Sequence, residues 1–332
     1  MTSLTKTNSR GVLLDPTFAI EWRDIADFLN EFGPYNGRYV PSFPSDWARR
    51  LKTHMEDLNL PPRKRLELMT KIAKEARLCT FPKDWAWDES KVWKENVGNL
   101  SVSLGDSIVV GNALDPDPFH SWHDVVDDIR ATRARSWRFK GSVSEYQELC
   151  MPLLQASPAA YLVDPYLDPF ELNTELLLRG FFSKMKGSRC YSIEIIRRWP
   201  MSVLLTDGSE GRRDRRSIER ELTQSYEDLV PKGCTFKIHC VVEPRGHDAQ
   251  AEGALRLHDR FFLTKHGAIN FGHGFRVLGK GSPLQNAFIV DAEHHVDLKR
   301  SYIEGVAHHK EQRSNWPGIP EAMDVVSVSV KG

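Results

Sequence analysis

The stretch Arg256-Leu257-His258-Asp259-Arg260-Phe261-Phe262-Leu263-Thr264-Lys265-His266-Gly267-Ala268-Ile269-Asn270-Phe271-Gly272-His273-Gly274-Phe275 carries the densest set of polar residues between apolar runs in the chain. Thr264-Lys265-His266-Gly267 reads as a tight turn joining two strands, Arg256 to Leu263 and Ala268 to Gly272. In a regular strand the side-chain period is two. His258 and Arg260 then share one face, and Asp259 points to the other. A histidine and an arginine set side by side at a strand end suit a phosphate. The second strand runs into Gly272-His273-Gly274, where glycines let the backbone approach a ligand and exposed N–H groups can cradle an anion.

Outward from this hairpin, strand and helix patterns alternate. Ala159 to Leu167 reads as a strand stopped by Pro165, Phe170 to Lys186 as a helix and Cys190 to Ile196 as a strand. Arg216 to Val230 reads as a helix, Thr235 to Val242 and Ala287 to Val290 as strands, and Asp297 to Ala307 as a helix. That alternation predicts an α/β domain with a mixed sheet flanked by helices over residues 143–332. Residues 1–142 read differently. They hold Trp22, Trp47, Trp85, Trp87, Trp93, Trp122 and Trp137, and helical patterns near 18–29, 44–58, 62–76 and 122–129. Leu66, Met69, Ile72, Ala73 and Ala76 are expected on one face of the third helix. The tryptophans are expected as core and interface anchors, so this mainly helical region is read as partner-binding.

Composition sets the outer bounds. Length, 332 residues, fits about two domains. Lys+Arg and Asp+Glu are both 45, so the net charge of zero excludes coating of nucleic acid by bulk charge. Any electrostatic grip must come from local patches. The N-terminal stretch reads as no signal peptide, and no run reaches the roughly 20 apolar residues that span a bilayer. The five cysteines lack Cys-x-x-Cys spacing, so reduced thiols in a cytoplasmic protein are expected.

The 256–275 segment resembles the phospholipase D-like superfamily. That family's pattern is His-x-Lys, four residues, Asp, six residues, Gly-Ser-x-Asn. Here His258 takes the histidine place, Arg260 the lysine place, Lys265 the Asp place, Gly272 the glycine place, His273 the Ser place and Phe275 the Asn place. Only His258 and Gly272 match in identity. His-Asp-Arg, a turn and Gly-x-Gly, with Asp164-Pro165-Tyr166 upstream, look closer to the phospholipase D-like C-terminal domain of MIT-domain-containing proteins. The resemblance covers roughly residues 145–310. It implies a phospholipase D-like sheet, a phosphodiester ligand and chemistry without metal or other cofactor. It implies His258 as the catalytic nucleophile, with Arg260, Lys265, Gly272, His273 and Gly274 on the phosphate. Active members pair two such motifs, so this chain would need a homodimer across a two-fold axis. With the motif's Asp replaced and Asp259 on the other face, Asp164 at the end of the first strand is the candidate carboxylate to orient the histidine. A role in a multi-protein prokaryotic defence system acting on foreign DNA is a further association of the family.

Two arginine runs suggest where nucleic acid would lie: Arg130, Arg133, Arg135, Arg138 and Lys140 around Trp137, and Arg212, Arg213, Arg215, Arg216 and Arg220. The alternative for the first is a solvated helix face or interdomain linker, and for the second a mobile surface loop. His294-His295 and His308-His309 lack companion ligands and read as surface polar pairs. Gly279-Lys280-Gly281-Ser282 reads as a hairpin connection. The alternatives to a nuclease are a non-catalytic module docking a phosphoinositide, a nucleic-acid end or an acidic protein, and a purely structural subunit.

Overall fold

The computed structural model describes residues 12–36, 43–58, 60–75, 86–100, 108–131, 136–186, 188–199, 202–204, 210–212, 215–242, 257, 260–279, 282–304 and 325–331. The chain divides into two compact units, Met1–Arg135 and Ser136–Gly332. Among the described residues no helix is long and apolar enough to cross a membrane.

The first unit is mainly helical. A short strand, β1 (Val12–Leu14), runs parallel to β2 (Ile108–Val110). Around it lie α1 (Trp22–Glu31), α2 (Trp47–Asp57), α3 (Pro62–Glu75), α4 (Trp93–Gly98) and α5 (Trp122–Ala131). Phe18, Phe28, Phe32, Trp47 and Trp122 pack together in the core, with Phe18 and Trp122 ring centres 5.1 Å apart. The indoles are anchored by their polar tips: Trp47 Nε1 donates to the Leu14 carbonyl at 2.6 Å and Trp93 Nε1 to that of Phe43 at 2.9 Å. α1 starts at Trp22 rather than Phe18. The Asp24 carboxylate accepts from the backbone N–H of Ile20 and Glu21, and so fixes the first turn there. In α3 the buried residues are Leu68 and Ile72, whereas Leu66 is 70% exposed. Ile72 and the partly buried Met69 thus face the core as expected, whereas Leu66 does not and Leu68 does.

The second unit is built on an eight-stranded mixed sheet of order β12-β8-β5-β4-β9-β10-β11-β3. Its elements are β3 (Ser136–Phe139), α6 (Val143–Ala156), β4 (Ala159–Val163), α7 (Leu172–Met185) and β5 (Ser192–Trp199). A small hairpin of β6 (Ser202–Leu204) and β7 (Glu210–Arg212) precedes α8 (Arg215–Tyr226) and β8 (Thr235–Val242). β9 (Phe261–Thr264), β10 (Ala268–Phe271), β11 (Gln285–Ile289), α9 (Ala292–Leu298) and β12 (Val325–Lys331) follow. β4, β5 and β8 are parallel, joined through α7 and α8; the other pairings are antiparallel. The central strands β4 and β9 are largely buried, which explains their near-continuous apolar runs. On one face Phe182 and Tyr226 meet Phe236, at ring separations of 5.4 and 4.9 Å. On the other, Val163, Ile196, Val241, Phe261 and Leu263 cluster with Leu298 and Tyr302.

Several elements depart from the sequence reading. β9 starts at Phe261, so Arg260 precedes the strand; the expected pairing of residues 258 and 260 on one face lies outside the described residues. Arg138 lies on the edge strand β3, not on a helix or in a linker. The second unit thereby takes in Ser136–Phe139. Arg212 ends a hairpin strand rather than standing in a loop. α9 begins at Ala292, because Asp291 caps it by accepting from the His294 N–H at 2.9 Å. His295 is consequently a core residue: it is 2% exposed and donates through Nε2 to the Thr264 carbonyl. His308 and His309 lie outside the described residues.

Candidate functional site at the carboxyl end of the parallel strands

Register brings three distant segments together. β9 is antiparallel to β4, with Phe261 opposite Val163, so Arg260 falls beside Asp164. β10 is antiparallel to β9, with Asn270 opposite Phe261, so the end of β10 falls beside Arg260. The Phe271 N–H closes the join by donating to the Arg260 carbonyl at 2.7 Å. The site thus lies past the carboxyl ends of β4 and β5, where ligands bind in open sheets with parallel strands.

Asp164 organises it. The residue is 4% exposed. Its Oδ1 accepts from the Tyr166 N–H at 2.9 Å and its Oδ2 from the Phe275 N–H at 3.3 Å. Its Oδ1 also stands 3.7 Å from Arg260 Nε. Arg260 Nη1 donates to the Gly272 carbonyl at 3.1 Å. Its guanidinium carbon lies 5.6 Å from the centre of the Tyr166 ring, and that of Arg198 lies 5.4 Å from the same ring. Tyr166 is 56% exposed. Arg197, one residue earlier on β5, is buried and donates to the Leu167 carbonyl at 2.9 Å.

The Gly272–Gly274 turn is held from behind. Gly274 has φ +82°, and a Cβ there would come within 2.5 Å of Asp164 Oδ2 and 2.7 Å of Arg260 Cδ. The buried Tyr146 hydroxyl of α6 lies 2.7 Å from the Gly274 carbonyl and accepts from the Arg276 N–H at 3.0 Å. Burial pushes its pKa up, so it stays a protonated donor. α6 is itself fixed by a capping box, with Ser142 Oγ accepting from the Glu145 N–H and Glu145 Oε2 accepting from the Ser142 N–H.

In front of Arg260 opens a cleft of about 350 Å³. Tyr166, Arg260 and Arg276 line it together with Asp164, Asp168 and Glu171. Positive and negative walls therefore face one small space.

The predicted site residues fare differently. Arg260, Gly272, His273 and Gly274 come together, with His273 exposed on the turn. His258, the expected nucleophile, lies outside the described residues, as do Arg133, Arg135 and Arg213. Lys265 does not join the group. It is exposed in the β9–β10 turn, at the far end of the four-residue strand from Arg260. The strand between them spans on the order of 13 Å from Arg260 to Thr264. Arg138 pairs with Asn286 on the outermost strand, with β10 and β11 between it and β9. Of the Arg212 side chain nothing is described. Tyr166, Arg198 and Arg276 are new to the site. Tyr166 could have been found from Asp-Pro-Tyr ending a strand; Arg198 required the β4–β5 register.

No protein-family model matches this chain, and no curated protein does.

The first unit has a larger cleft, about 860 Å³, walled by the polar side of α2 and by Trp87 and Trp93. Its charges are largely satisfied by one another. Arg49 and Arg50 both contact Asp46, Lys94 Nζ stands 2.5 Å from Asp115, and the Arg50 guanidinium lies 5.1 Å from the Trp87 ring centre. Burial raises the Asp15 carboxyl there, against the hydrogen bonds from Thr17.

Proposed function

We propose that residues 143–332 form a phospholipase D-like domain that recognises phosphate and phosphodiester groups, directed at nucleic acid. In this reading residues 1–142 bind protein partners in a multi-protein system, with prokaryotic defence as its setting. The observation that supports it is the placement of Arg260. Its fork is braced by Asp164 and the Gly272 carbonyl at the mouth of a cleft, and these contacts leave further N–H donors for a phosphate. In the catalytic form, His258 attacks phosphorus and becomes a phosphohistidine, while the histidine of a second copy protonates the leaving oxygen. Water then releases the phosphate. Neither step calls for a metal.

One observation favours a non-catalytic phosphate-binding or scaffold module instead. Both Asp164 oxygens are engaged, by Tyr166 and Phe275 N–H groups and by Arg260, and Lys265 stands at the wrong end of β9. In this reading Asp164 is committed to Arg260 and the turn rather than to a histidine, and Lys265 adds no cation to the group around Arg260. The test is incubation of the purified protein with single- and double-stranded DNA in EDTA, beside His258→Ala. Cleavage that disappears in the variant supports the enzyme. Binding without cleavage, weakened by Arg260→Ala, supports the module. Absence of both refutes a phosphodiester site.

A further inference from the structure

We infer that this cleft takes an unpaired nucleotide of a single strand, with its phosphodiester on Arg260 and its base against the Tyr166 ring. The inference rests on the phosphodiester reading above and narrows its ligand. The exposed ring of Tyr166 stands at the carboxyl end of β4, and two guanidinium groups, of Arg198 and Arg260, lie within 5.6 Å of its centre. An aromatic face bordered by arginines is the general device by which proteins hold single strands. The cations track the backbone and every base offers a π-face.

The acidic residues of the lining decide between ligands. Asp168 and Glu171 line the same cleft of about 350 Å³ as Arg260 and Arg276. A headgroup with several phosphates would set its surplus negative charge against these carboxylates in a confined space, where like charges repel most strongly. A phosphodiester carries one negative charge. The base attached to it is uncharged, and its amino and imino N–H groups can donate to carboxylates. The cleft therefore suits one anionic group next to a neutral, flat, donor-bearing one. A duplex fits poorly, because its bases are stacked on each other and unavailable to the ring.

The experiment measures anisotropy of a fluorescein-labelled mixed-sequence DNA 15-mer with the full-length protein. An abasic 15-mer, the matching duplex and vesicles containing phosphatidylinositol 4-phosphate serve as competitors. The proteins are the wild type, Tyr166→Leu, Tyr166→Phe and Arg260→Ala. The expected result is about tenfold tighter binding of the single strand than of the abasic strand. Tyr166→Leu erases that preference and leaves the salt slope unchanged, whereas Tyr166→Phe keeps it. Arg260→Ala weakens both strands together. Equal binding of normal and abasic strands, or a preference that survives Tyr166→Leu, overturns the inference while the phosphodiester reading stands. Stronger competition by vesicles or by duplex than by the single strand also overturns it. If no oligonucleotide or vesicle binds, and Arg260→Ala changes nothing, the phosphodiester reading itself fails. Tyr166 is exposed, so thermal unfolding of the two Tyr166 variants should match the wild type.

Discussion

Gly274 sits with φ +82° between the Asp164 carboxylate and the Arg260 side chain, with room for a hydrogen atom and nothing larger. Gly274→Ala should therefore act twice. The backbone strain and the clash together should cost about 1–3 kcal/mol of stability, read as a lower unfolding midpoint in urea. The displaced Arg260 should also weaken DNA binding. Arg260→Ala is the cleaner change at this scale, since the side chain is about a quarter exposed. Binding of a DNA oligonucleotide should weaken across sequences, and the slope of log affinity against log salt should fall by about one. An unchanged slope would mean that Arg260 touches no phosphate. At Gly272, by contrast, a Cβ would meet nothing within 4 Å, so Gly272→Ala should leave stability unchanged within about 0.5 kcal/mol.

At the scale of elements, the β5–β8 pair buries a charged cluster in the sheet. Glu194 accepts from His239 Nε2 at 2.6 Å, from Lys237 Nζ at 2.7 Å and from Ser192 Oγ at 2.9 Å. Burial alone would raise its carboxyl, but the hydrogen bonds and charges of His239 and Lys237 outweigh it and hold the pKa down at about 2. Between the ordinary value of 4.5 and about 2 the folded protein therefore binds fewer protons at this group than the unfolded chain. The stability it contributes is complete above about pH 4.5 and is lost as pH falls toward 2. Glu194→Gln should flatten that part of a pH–stability curve measured by urea unfolding. His239→Ala leaves a buried carboxylate short of a partner and should cost about 3 kcal/mol. His295 adds to acid sensitivity: burial depresses its pKa, so protonation below its ordinary value of 6.5 also favours the unfolded chain.

At the scale of the whole molecule, every described residue of the cleft belongs to the unit Ser136–Gly332. Damage to the other core should leave ligand binding intact. Trp122→Ala, which empties a side chain 2% exposed among Phe18, Phe28 and Phe32, should destabilise the first unit by about 3–5 kcal/mol. Oligonucleotide affinity under conditions where both units remain folded should not change. A parallel loss of affinity would show that the first unit takes part in the site.

Periodicity and turn chemistry made the alternation of β4, α7, β5, α8 and β8 legible, together with the β9–β10 hairpin and the aromatic core of the first unit. These features follow from local patterns: apolar runs bounded by proline and glycine, and apolar residues such as Phe18, Trp22, Ile25 and Leu29 at helical spacing. β12 was legible in principle from Val326, Val328 and Val330 but is easily passed over, because short valine–serine alternation also suits a surface segment. The start of β9, the burial of His295 and the exposure of Leu66 were not legible, since each depends on which partner covers a residue. The sequence by itself determined an α/β sheet following a helical, tryptophan-rich part, and the grouping of Arg260 with the Gly272–Gly274 turn. Those residues are near neighbours through a single hairpin. Only the tertiary structure decided that Asp164 braces Arg260, that Arg198 joins them at Tyr166 and that Lys265 does not. Strand register sets such neighbours, and register is fixed by burial of whole faces rather than by any one segment.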